Sequence, residues 1–162
     1  MSLRLATIFL IATYVGGCGF QLEGAGELAE GLRRVNIQAA DPYSPFVRAF
    51  QQRVRQLGGT VVQGRDAADV VLTVLADETG QRVLSVSSRN LPREYEVFYL
   101  LRFSVTGPTG SASEAQSLDL IRSYAFDETQ VLGKRNEEVT LRRSLAEDLA
   151  RQVVRRIDTL AP

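Results

Sequence analysis

Few residues in this chain are able to do chemistry, and they are unevenly placed. There is no His, and the only Cys is Cys18. Without His the chain has no Ser-His-Asp or Cys-His arrangement and no His-ligated metal. One Cys excludes an internal disulfide and a CxxC motif. Of the 19 basic residues all but Lys134 are Arg, so any phosphate recognition rests mainly on guanidinium forks. Two short segments gather cations: Ser88-Arg89-Asn90-Leu91-Pro92-Arg93, and Leu132-Gly133-Lys134-Arg135-Asn136. The second stands just before a predicted helix, where backbone N–H groups add to the attraction for phosphate. Polar loops carry such residues in any case. The carboxylate pairs Asp127-Glu128 and Glu137-Glu138 read as turn and helix-start residues, and the glycines match neither a P-loop nor a dinucleotide spacing. The expectation is a protein that is not an enzyme and has no cofactor or metal. With 19 acidic residues balancing the 19 basic ones, nucleic acid is not expected as a partner.

The position of Cys18 is informative. Met1-Ser2-Leu3-Arg4 carries one side-chain cation, and Leu5 to Val15 carries no charge. These eleven residues are too few to span a bilayer, which needs about 20, but suit the apolar region of an export signal. Val15-Gly16-Gly17-Cys18 then resembles a bacterial lipobox. In that class the Cys thiol receives a diacylglyceryl group, cleavage falls before the Cys, and the new amine is often acylated. Residues 1–17 are therefore expected to be a lipoprotein signal peptide, and Cys18 the lipidated first residue of the mature chain. The alternative is a plain signal peptide followed by a buried cysteine. Several acyl chains together make a stable membrane anchor. Gly19 rather than Asp follows the Cys, which in this class implies sorting to the outer membrane.

The rest of the chain reads as one domain. Apolar residues are 44% and charged residues 23% of the whole, values of a folded globular protein. Residues 18–33 carry four glycines and no period, and read as the lipidated N-terminus and a linker; residues 34–162 read as a single α+β domain. Arg34 to Ala39 alternates as a short strand. Ser44-Pro45 opens a helix whose stripe is Phe46, Phe50, Val54 and Leu57, ended by Gly58-Gly59. Its Arg48, Arg53 and Arg55 read as a solvated face. Strand signals follow at 60–63 (short), 70–76, 82–88, 94–106 and 118–126. In the longest run Tyr95, Val97, Tyr99, Leu101, Phe103 and Val105 form an unbroken apolar row, which fixes the core face. A helix from about Asn136 to Leu160 repeats Leu141, Leu145, Leu149, Val153 and Ile157. The expected fold is a two-layer α+β sandwich, with two helices on one face of a mixed, mostly antiparallel sheet of four to five strands.

Such a sheet leaves its other face to solvent or to a partner. Phe98 and Leu100 fall there, between Glu96 and Arg102. Either flanking residues cover them, as is ordinary for single apolar residues, or they mark a protein or lipid contact surface.

Taken in order, these segments resemble the LptE family of lipopolysaccharide-assembly lipoproteins. The resemblance is carried by Cys18-Gly19-Phe20-Gln21-Leu22, by Val35 to Ile37 with Asp41-Pro42, and by the helix ending Arg55-Gln56-Leu57-Gly58-Gly59. It continues through Arg89-Asn90 and Glu94-Tyr95, Arg122-Ser123-Tyr124, and Leu132-Gly133-Lys134-Arg135-Asn136-Glu137. The family implies a two-layer α+β fold and a lipid anchor in the outer membrane facing the periplasm. It implies a partner, the outer-membrane β-barrel LptD, which the lipoprotein plugs and helps to assemble, and assistance in delivering lipopolysaccharide to the cell surface. Its functional cations fall on Arg89 and Lys134, which would meet lipid A phosphates; Arg93 and Arg135 are their neighbours, and Arg93 substitutes for Arg89 if the shorter loop displaces it. The sequence departs from the family in ending at Pro162 without an extended tail, so the resemblance does not carry over contacts from such a tail. Phe98 and Leu100 are the candidate barrel contacts. Two other readings stand beside this one: a lipid- or solute-binding lipoprotein subunit of another envelope transport system, and a structural lipoprotein of general barrel biogenesis.

Overall fold

A computed structural model describes residues 32–160. The elements are β1 (Arg34–Gln38), α1 (Pro45–Gln56), β2 (Thr60–Val61), a 3-10 turn (Arg65–Ala67), β3 (Val70–Val86), β4 (Pro92–Thr106), β5 (Gln116–Ala125) and α2 (Val131–Leu160). The five strands form one sheet in the order β2-β1-β3-β4-β5. β1 runs parallel to β2 and to β3, and the β3-β4-β5 meander is antiparallel. Both helices pack against this open sheet, giving the expected two-layer α+β architecture. The segment expected to be a signal peptide, Cys18 and most of the expected linker lie outside the described residues. Leu32, within the segment read as linker, is fully buried in the core.

Sequence dictates the core as period two meets period 3.6. Val97, Tyr99, Leu101, Phe103 and Val105 of β4 point to the helices and are buried. Phe46, Phe50 and Val54 of α1, and Leu145, Leu149, Val153 and Ile157 of α2, close over them. Each of these large side chains contributes about 1.5–3 kcal/mol on burial. α1 starts where Ser44 caps it, with Pro45 in its first turn, and stops at Gly58, whose φ of 88° suits only a residue without Cβ. Gly59 is required for a different reason: a Cβ there would stand 2.3 Å from the Leu32 carbonyl oxygen.

A polar cluster joins the two layers. The Tyr99 hydroxyl donates to Asp77 Oδ1 (2.7 Å) and accepts from the Phe46 backbone N–H (3.0 Å). Ser44 Oγ donates to Asp77 Oδ2 (2.5 Å) and accepts from the Val47 N–H (3.1 Å). Two N–H groups of the first helical turn, which have no partner inside the helix, are thereby satisfied, that of Phe46 by Tyr99 of β4 and that of Val47 by the Ser44 cap, and Asp77 of β3 holds both hydroxyls. Burial, and then the bond to the Asp77 carboxylate, push the Tyr99 pKa well above the ordinary phenol value.

Two elements differ from the sequence reading. The segments 70–76 and 82–88 are one 17-residue strand, β3, continuous through Asp77 to Gln81. Register breaks at Val74/Ala76 and at Val83/Ser85 let it bend while staying paired to β4. Secondly, α2 begins at Val131, not at Asn136. Asp127 prepares that start: its carboxylate accepts from the Thr129 N–H and hydroxyl and from Gln130, which holds its pKa below the usual carboxylate range. Lys134 therefore sits inside the helix, its N–H bonded to the Gln130 carbonyl, and not in a loop before it.

Candidate functional site: cations at one end of the sheet and an apolar outer face

The β3–β4 turn carries Arg89. It is closed by the Ser87 N–H to the Leu91 carbonyl (2.8 Å) and the Asn90 N–H to the Ser87 carbonyl (3.0 Å), with Asn90 at a φ of 58°. Arg89 is exposed, without an ion-pair partner among the described residues. Glu94 of β4 stands opposite Ala125 of β5, and the Phe126 N–H bonds the Arg93 carbonyl at 2.7 Å. The Arg89 turn, Arg93 and the start of α2 thus occupy the same end of the sheet. Lys134 differs from Arg89 in kind. Its side chain is only 20% exposed and its Nζ donates to Glu137 at 2.9 Å.

Beneath the start of α2 lies an aromatic group. Tyr95 stacks on Tyr124 (centroids 5.8 Å apart) and meets Phe126 edge-on (5.2 Å). The Tyr124 hydroxyl donates to Gln81 Oε1 at 3.1 Å. Burial first, and then the charges of Glu138, Tyr95 and Glu137, raise its pKa. Around this end Val83, Leu84, Val86, Leu91, Val131 and Leu132 are exposed. Period-two reasoning could not find this apolar rim, because its members come from a bulged strand, a turn and the first turn of a helix.

On the outer face of the sheet Phe98 stands between Gly80 of β3 and Ile121 of β5. A Cβ at Gly80 would lie 2.8 Å from Phe98 Cζ, so the ring lies across the glycine. The Arg82 guanidinium covers the ring at 5.7 Å from its centroid while pairing with Glu96. Phe98 and Leu100 are half-buried, and Ile121 is 46% exposed beside them. Ile121 was missed in the sequence because Leu118 and Leu120 define the opposite face of the same strand.

Arg135 does not join Arg89. It lines a groove of about 570 Å³ between the helices, with Arg48 of α1 and Arg142 and Arg143 of α2. Arg93 and Lys134 remain with the turn.

Five strands in one open sheet roofed by two helices, with cations and exposed apolar residues at one end, define an open-faced α+β protein. The fold is shared with the solution NMR structure of an uncharacterized lipoprotein B from Nitrosomonas europaea (TM-score 0.70, 22% identity, covering 88% of this chain and 92% of that one). It is shared also with the crystal structure of rare lipoprotein B from Shewanella oneidensis (TM-score 0.67, 22% identity, 78% and 95%). The family model LptE, described as lipopolysaccharide-assembly, matches residues 32–157, and the chain belongs to that family. An LPS-assembly lipoprotein LptE from Yersinia pestis is 26% identical over 160 residues, 97% of this chain and 77% of the relative. Its counterpart from Yersinia enterocolitica is 25% identical over 149 residues, 91% and 72%.

Proposed function

We propose that this protein is a lipidated component of lipopolysaccharide assembly at the outer membrane. On this reading it is tethered through Cys18 after loss of residues 1–17, and it acts without catalysis, cofactor or metal. Membership in the LptE family across the whole folded domain is the observation that carries the reading. Its partner is the β-barrel LptD, whose lumen it plugs. The half-buried Phe98 and Leu100 and the exposed Ile121 suit a barrel wall better than bulk water, since a solvated antiparallel face is ordinarily polar. Arg89, Arg93 and Lys134 occupy one end of the sheet, where exposed apolar residues flank the cations. That combination suits an amphiphile carrying phosphate, such as lipid A.

Affinity recovery from detergent-solubilised outer membranes tests the proposal. The wild-type chain should bring down LptD, and mass spectrometry should find lipid on an N-terminal Cys18. Phe98→Glu should reduce recovery while leaving the domain folded, by about 2–4 kcal/mol of interface energy if the ring is a buried anchor. Recovery of a transporter complex in place of LptD would assign the protein to another envelope system.

A further inference from the structure

The groove between α1 and α2 has no role in the reading above. Its floor is Pro45 and Ala49 of α1 and Val139 and Ala146 of α2; its walls carry Arg48, Arg135, Arg142 and Arg143 against Glu138 and Glu147. Arg142 is engaged by Glu138 one helical turn away. Arg48, Arg135 and Arg143 are exposed and have no ion-pair partner among the described residues. The concavity has a simple origin. Ala49 and Ala146 are small where the helices approach, so the long arginines around them enclose space instead of filling it. Glu138 is engaged by Arg142, so three guanidinium groups face Glu147 alone among the lining carboxylates, and the hollow is net positive toward an incoming anion.

From this geometry we propose that the interhelical groove binds a phosphate monoester carried on a small apolar group, independently of the Arg89 end of the sheet. The volume of about 570 Å³ is within the range of small-molecule sites. A phosphate dianion offers several acceptor oxygens to planar guanidinium forks, which a single carboxylate does not. The apolar floor receives the ester's hydrocarbon. The proposal does not depend on a role in lipopolysaccharide assembly, because it is carried by the groove alone.

The test uses the full chain, labelled with nitrogen-15 and titrated with hexyl phosphate, inorganic phosphate and hexanol. Amide shifts at Ala49, Gln52, Val139 and Ala146 should follow hexyl phosphate. Its affinity should exceed that of inorganic phosphate about tenfold, the effect of burying two methylenes. The double variant Arg48→Gln/Arg143→Gln alters only exposed residues; it should keep the wild-type spectrum and lose more than about tenfold in affinity. Arg89→Gln should bind hexyl phosphate unchanged, which separates this site from the hairpin cations. Absence of shifts at the groove would overturn the proposal. So would equal affinity for inorganic phosphate, which would mean a bare anion site. Displacement of hexyl phosphate by equimolar hexaglutamate would assign the groove to an acidic protein segment instead.

Discussion

Replacing Tyr99 by Phe removes one oxygen and leaves the ring, so it isolates the polar cluster between the layers. The Phe46 N–H, buried at 3.0 Å from that oxygen, loses its acceptor, and Asp77 loses a donor at 2.7 Å. An orphaned buried N–H costs about 1–3 kcal/mol, and a hydrogen bond to a charged group contributes about 1.5–3 kcal/mol. Ser44 still holds the other Asp77 oxygen, so part of the second quantity survives. Tyr99→Phe should therefore destabilise the domain by about 2–4 kcal/mol. At about 3–5 °C per kcal/mol this is read easily in thermal unfolding, and urea titration should show a lower midpoint at unchanged slope. Tyr124→Phe is the matched control: its hydroxyl meets only the neutral Gln81, and it should cost about 1 kcal/mol or less. A Tyr99→Phe loss below about 0.5 kcal/mol, or equal losses for the two variants, would refute the claim that this cluster secures α1 to the sheet.

Gly59→Ala should destabilise more than a typical surface change, by upwards of about 2 kcal/mol, because the new methyl meets the Leu32 backbone and cannot be relieved by a rotamer; circular dichroism melts would show it. Gly80→Ala should cost less, since Phe98 is half-buried and its ring can swing outward; an altered ring environment in proton NMR is the check. Stability should fall on the alkaline side. Tyr99 has a folded pKa above its unfolded value near 10, so its contribution is complete below about pH 10 and is lost above it, by about 1.4 kcal/mol per pH unit. Tyr124 adds in the same direction. Denaturant titrations at pH 9 and pH 11 should differ accordingly, and Tyr99→Phe should flatten the difference.

The core face of β4 was legible because its odd positions are apolar without interruption, and α1 because cap, proline, stripe and glycine stop agree. The join within β3 was not. Asp77 to Gln81 is polar, glycine-bearing and without alternation, and it is held as strand by pairing with β4 and by Tyr99 gripping Asp77. The first turn of α2 was hidden for a related reason. Val131 and Leu132 point to solvent, so no apolar stripe marks them, and a side-chain turn at Asp127 starts the helix instead. Among the candidate site residues, Arg89 was readable as a turn cation, because Asn90-Leu91-Pro92 breaks the strand pattern. The Glu137 partner of Lys134 and the Arg82 cover on Phe98 depend on where the helix begins and how a bulged strand is registered, and composition carries neither.

The placement of β1 bears on how the domain withstands tension. From buried Leu32, the first described residue, the chain runs straight into β1, which is bonded on one side to β2 and on the other to β3, both parallel. A pull from the N-terminal side acts along the axis of β1. It must first extract Leu32 from the core and then shear both ladders together, instead of peeling one bond at a time. The Arg34–Asp69 fork, with Nη2 2.7 Å from Oδ1, ties the entry point to the base of β3 and shares that load. With Cys18 as the proposed tether, drag on the domain would reach the sheet along β1 and load its two ladders in shear.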